Sequence, residues 1–566
     1  LAFKIIHHSF TILLIWFAAG KAAAQQPIPS PVAADTVRII KIVKAKSLRE
    51  KLIDSATTIE TAAGNVIIVE GLTTTYCDSV VINRHTNVVE AFGNIHINDN
   101  DSIHTYAQYL KYIGGERVAY LKRSVKLTDK KGVLSADDIE YNLRTGIATY
   151  KNGGKIVNGK TTLTSNEGIY YANTKDVQFK KNVHLVDPKY NIKTDSLLYN
   201  LKTDIATFIA PTHIVSKDGI IDTKNGNYNL KTGEAVFFER TYISDNSHFI
   251  VGDKITSDEK TGIVTIEGNG KFVDSVNQVT VLSNHIESNR KENSFLAYNK
   301  PVMILHKDGD STYIAADTLF SGVRKYDNET KKQIVKIDTL KKITAVNVAT
   351  NDSSVKKEIL KIDTLKNATV INLNKKDSAI RYFLAFHHVR IFNDSLQSVS
   401  DSLYYSTEDS TFQLFGKPVV WNGKSQVTGD TIYMYTENQK PKRLYVFYNG
   451  LIINEPAPSL YNQIAGRTIT GYFKEGNIDY VRVKGTPAES IFYPQDDDSA
   501  FTGMNRSSGD VIDIYFIKKE LNKVKFVNSV EGVMYPLRQI PANKKQLKGF
   551  TWQDARRPKN KLELFE

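Results

Sequence analysis

The stretch Tyr199-Asn200-Leu201-Lys202-Thr203-Asp204-Ile205-Ala206-Thr207-Phe208 decides the fold, because it recurs. Its tyrosine belongs to a column of Tyr112, Tyr141, Tyr170, Tyr199 and Tyr228, at steps of 29 residues. Its threonine belongs to a second column, Thr145, Thr174, Thr203, Thr232 and Thr261, with the same step. Seven and nine residues past Tyr141, Tyr170, Tyr199, Tyr228 and the equivalent Ser257 stand apolar pairs: Ala148/Tyr150, Val177/Phe179, Ala206/Phe208, Ala235/Phe237 and Val264/Ile266. One further column, Leu127, Ile156, Leu185, Ile214, Ile243 and Phe272, is apolar throughout. A fixed period of this length is the mark of a stacked repeat.

The repeat unit is β. Residues two apart share a face on a strand and not on a helix. Asn-Gly, Asp-Gly and Thr-Gly steps interrupt the apolar runs every eight to twelve residues, and no long segment carries a capped helical pattern. A unit of 29 residues accommodates about three short strands of four to nine residues, and one unit cannot bury its apolar face alone. The spacing therefore predicts an all-β, elongated repeat whose stacked units share one core. The column from Leu127 to Phe272 is expected to point inward, and the tyrosines to form a structural ladder at the unit's edge. A further column, Asp78, Gln108, Asp137, Asn166, Asp195 and Asp253, places one acid or amide per unit at a corner, where such side chains satisfy backbone donors.

Outward from this register, residues 1–24 read as a signal peptide: Lys4 precedes an apolar run from Ser9 to Gly20, and Ala22 and Ala24 give a small-x-small cleavage site. The run is short for a membrane span. No cysteine follows it for lipid attachment, so an exported chain, soluble after cleavage, is expected. Residues 25–54 are a lead-in, 55–321 the repeats, 322–378 a charged insertion, 379–535 a second repeat segment and 536–566 a basic tail expected outside the repeats. The insertion carries two near copies, Lys336 to Lys341 and Lys361 to Lys366.

Lysine and arginine number 74 against 61 aspartates and glutamates, a net charge of +13, but the two signs alternate along the repeats, so no nucleic-acid stripe is present. Cys77 is the only cysteine, which excludes an intrachain disulfide, and an apolar strand around it reads as core. No unit departs from its siblings by gathering carboxylates, and the histidines lack metal-ligand spacing; His387 and His388 are expected on opposite strand faces. The residues thus point to no catalytic group, no metal and no cofactor. A β-helical polysaccharide-active enzyme and an exported structural or adhesive rod remain as alternatives.

The order of Gly64-Asn65-Val66, Ala91-Phe92-Gly93-Asn94-Ile95, Asp195 to Asn200, Gly416-Lys417-Pro418-Val419 and Gly466 to Gly471 resembles the OstA-like family of lipopolysaccharide-transport proteins. The likeness extends over about 55–320 and 380–485. It implies a slotted β-jellyroll with an apolar interior along which acyl chains slide, in a long soluble member of the kind expected in a Bacteroidota-like Gram-negative bacterium. It implies a non-enzymatic carrier or bridge in the periplasm, with association with the inner face of the outer membrane allowed. The implied partners are lipopolysaccharide or a related glycolipid, and other OstA-like proteins of the inner- and outer-membrane complexes, joined by end-to-end strand stacking. Self-association is allowed and nucleic acid is not a partner. Leu127, Ile156, Leu185, Ile214, Ile243 and Phe272 are candidates to line the groove, as are Tyr150, Phe179, Phe208 and Phe237.

Overall fold

The computed structural model describes residues 40–566 except 55–56, 100, 102, 129–131, 189, 218, 230, 307–310, 325–379, 438–439, 476 and 518–519. The signal-peptide segment, the first half of the lead-in and nearly all of the charged insertion lie outside the described residues. The described chain is built from antiparallel strands, and its only helical turns are short 3-10 turns after Pro536. It divides into two compact units between Glu287 and Ser288.

In the first unit one 29-residue repeat is a hairpin of two long strands, not three short ones. Asp176–Val186 runs into Tyr190–Asn200, and Glu234–Ser244 into His248–Asp258, each pairing antiparallel with its sequence neighbours. The expected upper limit on strand length also fails, since a strand of the second unit, Lys440–Ala457, has 18 residues. Alternate long strands bulge at their middle, and their partners follow the bend. The bend lies at two residues with left-handed backbone, Gly64/Asn65, Gly93/Asn94, Lys181/Asn182 and Gly268/Asn269 among them. The ladder slips there, from Lys180↔Ser196 to Val183↔Thr194, leaving one extra residue on the bent strand. This is a β-bulge used as a corner. In places the corner interrupts the strand, as between Ile205–Phe208 and Thr212–Ser216.

The corner makes every strand contribute to two arms. Inward residues lie two apart within an arm; across the corner they lie four apart on the bulged strands, as Phe179 then Val183, Phe237 then Thr241 and Ala62 then Val66, and three apart on the intervening strands, as Thr194 then Leu197, all buried. The extra residue keeps the alternation on the bulged strands, and residues from both arms join a single core, with Ile82 of the first arm and Ile68 of the second in one cluster.

The Tyr and Thr columns build the hairpin turns that close the first arm. The residue after the tyrosine accepts from the backbone two and three places on: Asn200 Oδ1 accepts from Lys202 N at 3.0 Å and Thr203 N at 2.9 Å, and Asn229 repeats this at 2.9 and 3.0 Å. The turn then closes through a left-handed residue, Gly146, Lys175, Asp204, Gly233 or Gly262. This Asx turn fixes strand register at each repeat.

The acidic column lies opposite the corners. Asn94 Nδ2 donates to Asp78 at 2.9 Å, Asn269 Nδ2 to Asp253 at 2.8 Å and Asn449 Nδ2 to Asp430 at 2.9 Å. The expected role at a corner holds, but the partner is chiefly the corner asparagine's side-chain amide. The His pair corrects another expectation: His387 and His388 are themselves corner residues with positive φ, exposed, and paired with Asp401 at 3.1 Å and Asp317 at 2.9 Å.

In the second unit Thr318–Arg324 pairs with Ile380–Phe392, with Arg324 directly opposite Ile380. The tail corrects a third expectation. Instead of lying outside the sheet, it runs back across the second unit: Leu547 and Leu564 are buried, and Gln463, Gln426 and Gln397 hold it along the way.

Candidate functional site

The interior between the arms of the first unit is the candidate site. Phe179, Phe208 and Phe237 are the last inward residues of the first arm before the corner, and all three are buried. Tyr150 holds the same place in its own strand; its hydroxyl lies 2.6 Å from Ser165 Oγ, and its ring fills the space beside Gly154 and Gly168. Leu185, Ile214 and Ile243 are second inward residues beyond the corner and are buried; Leu127, Ile156 and Phe272 hold equivalent places and are half-buried. The two candidate columns thus line one interior from opposite arms. Phe208 and Phe237 stack with ring centres 6.5 Å apart, continuing the row from strand to strand.

The intervening strands complete both rows. Tyr170, Tyr199 and Tyr228 point inward from the first arm and are buried, while Tyr112 and Tyr141 are half-buried. Tyr199 donates its hydroxyl to Asp204 at 2.9 Å. On the second arm Tyr190 sits beside a turn, on the side away from the corners. Burial holds the Tyr190 phenol neutral far above the ordinary tyrosine range, with Asp187 and the neighbouring Tyr228 hydroxyl adding to the effect. Tyr228 is on the other arm, also beside a turn, and is likewise pushed up, by burial first and Glu259 second. Two buried, neutral phenols therefore face the interior from opposite arms on the side away from the corners.

The sequence reading missed a buried ladder of hydroxyls. Thr194, Thr212, Thr223 and Thr241 occupy inward places next to the corner. Thr212 donates to Thr194 at 3.0 Å, and the Thr223 and Thr241 hydroxyls are 2.9 Å apart. Thr223 also donates to the Asn225 carbonyl at 3.1 Å, and Ser165 to the Glu167 carbonyl at 3.0 Å. The bend frees carbonyls from the ladder, and these hydroxyls satisfy them inside the core. Small β-branched polar residues at 29- or 18-residue spacings were the available signal.

The interior has apolar rows, hydroxyls at its corner edge and neutral phenols on the side away from the corners. Among the described residues no group of three histidines, cysteines or acids is placed to hold a metal ion. Cys77 is buried, and burial raises its thiol to about 11, which leaves it protonated and unreactive. No helix among the described residues is long and apolar enough to cross a membrane.

Residues 38–195 match the family described as OstA-like protein, and residues 149–244 match one described as lipopolysaccharide-assembly, LptC-related. Both matches fall within the first unit, and the OstA-like one spans the corner motifs Gly64-Asn65-Val66 and Gly93-Asn94-Ile95. Among solved structures the chain is similar to LptH, the LptA homologous periplasmic component of the conserved lipopolysaccharide transport device from Pseudomonas aeruginosa. That likeness has 18% identity and a TM-score of 0.18, and covers 20% of this chain and 80% of the other. No curated protein matches the chain.

Proposed function

We propose that the first unit shelters the acyl chains of lipopolysaccharide, or of a close glycolipid, between its two arms during passage across the periplasm to the outer membrane. The carrier leaves the lipid chemically unchanged. The observation that carries this reading is the pair of apolar rows, Phe179-Phe208-Phe237 and Leu185-Ile214-Ile243, that face one interior within the stretch matched by the OstA-like and LptC-related families. Each methylene taken out of water there is stabilised by about 0.8 kcal/mol, so several acyl chains need such shelter to leave a membrane at a useful rate. The rows are filled by their own side chains, so an entering acyl chain must part the arms and take the place of side-chain contacts. Parting begins on the side away from the corners, where Tyr190 and Tyr228 lie on opposite arms, each beside a turn.

End-to-end contact with further OstA-like proteins is supported by the first strands. Lys41–Lys44 and Ser47–Leu52 are exposed along nearly all their length, and both pair with Thr58–Glu70. An exposed edge strand is the element to which another chain adds a strand. The structural-rod alternative draws on the same packed interior. Depletion in living cells separates the two: a carrier's loss lowers surface lipopolysaccharide and retains it at the inner membrane. Normal surface lipopolysaccharide after depletion overturns the carrier reading and leaves the rod.

A further inference from the structure

In the second unit one arm is covered on both faces. The inward face carries Val420 and Ser398, both buried. Their neighbours on the outward face are buried as well. Gln397, Trp421, Gln426, Ile453, Gln463 and Ile491 are successive cross-strand partners, a single row, and each is less than 5% exposed. In the first unit the outward row of the corresponding arm includes Val186, Val215 and Ile220, each more than a third exposed.

The cover is the chain's own carboxy-terminal segment, and glutamines hold it. Gln463 Nε2 donates to the Lys545 carbonyl and its Oε1 accepts from Leu547 N, both at 2.8 Å. Gln426 makes the same fork, donating to the Thr551 carbonyl and accepting from Gln553 N at 2.8 Å. Gln397 Oε1 accepts from Arg557 Nε at 2.8 Å, and Arg390 donates to the Glu563 carbonyl at 2.7 Å. Leu547 packs with Ile491 and Met504, and Leu564 with Val302 and Ala315. Each side-chain fork stands in for one rung of a sheet.

The hold is nevertheless thin. Beyond Pro536 only Leu547, Pro558 and Leu564 are buried. The segment forms no strand, and its own backbone bonds are local, such as Lys544 to Pro541 and Phe550 to Leu547. A segment with few buried apolar contacts and no ladder opens well before the sheet beneath it.

We propose that residues 537–566 are a releasable latch: they brace the outward face of this arm, and their release lets the arm swing from its partner arm and admit an acyl chain to the second unit. This rests on the carrier reading. Released, the latch uncovers Trp421, Ile453 and Ile491 together with the glutamines interleaved among them, whose amides lose their backbone partners, and this drives the latch back when no lipid occupies the interior.

Two measurements test the latch on the full mature chain. Native-state hydrogen exchange should show amides of residues 544–566 opening at least about 100-fold faster than those of Leu460–Lys474. Equal rates would show a fixed part of the core and overturn the proposal. In the second, Gln426→Ala and Gln463→Ala are combined in a Trp552→Phe background, so that beyond residue 24 only Trp421 remains to report by acrylamide quenching. A photo-crosslinking residue replaces Val420. Uncovering of Trp421 should accompany a rise of about fivefold or more in crosslinking of Val420 to lipopolysaccharide. An uncovered Trp421 with unchanged crosslinking at 420, while position 208 still crosslinks, overturns the latch and spares the carrier. Absence of lipid crosslinks at both 208 and 420 in every variant overturns the carrier reading and the latch with it.

Discussion

Replacing Gly268 by alanine tests the corner, the device on which both arms depend. Gly268 has φ +70°, where an L side chain costs about 1–2 kcal/mol. An alanine Cβ there would stand 2.8 Å from Asp253 Oδ2 and 3.0 Å from its Cβ. The carboxylate cannot turn aside freely, because Asn269 Nδ2 holds it at 2.8 Å and Arg240 Nη1 at 3.0 Å; these donors also set the Asp253 pKa below the usual carboxylate range. Giving up these half-exposed bonds adds about 0.5–1.5 kcal/mol. Gly153 is the control within the same unit: its φ is +92°, and an added Cβ meets nothing within 4 Å. Gly268→Ala should therefore destabilise by about 2–3 kcal/mol and Gly153→Ala by about 1–2 kcal/mol. Urea unfolding followed by circular dichroism measures both. In a double-mutant cycle Asp253→Ala should recover the part of the excess that the carboxylate causes, its own Cβ remaining near residue 268. Equal losses for the two glycines, or no coupling to Asp253, would refute the assignment of the acidic column to the corners.

Phe208→Ala removes a fully inward ring and should cost about 3–5 kcal/mol in the first unit's transition, whereas Val215→Ala, facing outward, should cost less than about 1 kcal/mol. Replacing residues 325–379 by a short turn should lower the unfolding midpoint by no more than about 2 °C, since Arg324 and Ile380 are already opposite each other; a larger fall shows that the segment packs on the sheet. Asp513 accepts from Arg482 at 2.8 and 2.9 Å and from Tyr480 at 2.6 Å, which depresses its pKa. A depressed carboxylate stabilises above its unfolded value of about 4 and ceases to as pH falls through the folded value. The second unit should accordingly lose stability below about pH 4, and Asp513→Asn should flatten that part of the pH profile; an unchanged profile refutes the assignment.

The residues that repeat were legible because each answers to one local rule. Tyr199-Asn200-x-x-Thr203 is an Asx turn, Gly268-Asn269 is a left-handed corner, and Phe208 and Ile214 alternate inward. The number of strands was not legible: on the bulged strands inward residues stay in phase across a corner, so a bend and a turn leave similar apolar spacing. The corner threonines were hidden because their partners are carbonyls freed only by the bend. The latch was invisible because it is built from glutamine-to-backbone bonds, Gln463 to Lys545 and Gln426 to Thr551, that follow no period. Exposed basic residues around Leu547 and Leu564 make that segment read as solvated chain, although the two leucines anchor it.

The central claim, that lipid travels between the arms, is tested most directly by photo-crosslinking at four positions in cells supplying lipopolysaccharide. Phe208 and Ile214 face the interior from opposite arms, while Phe238 and Val215 face outward and are more than a third exposed. Crosslinks to lipopolysaccharide at 208 and 214, and none at 238 and 215, are the expected result. Crosslinks confined to 238 and 215, or equal at all four, would contradict it.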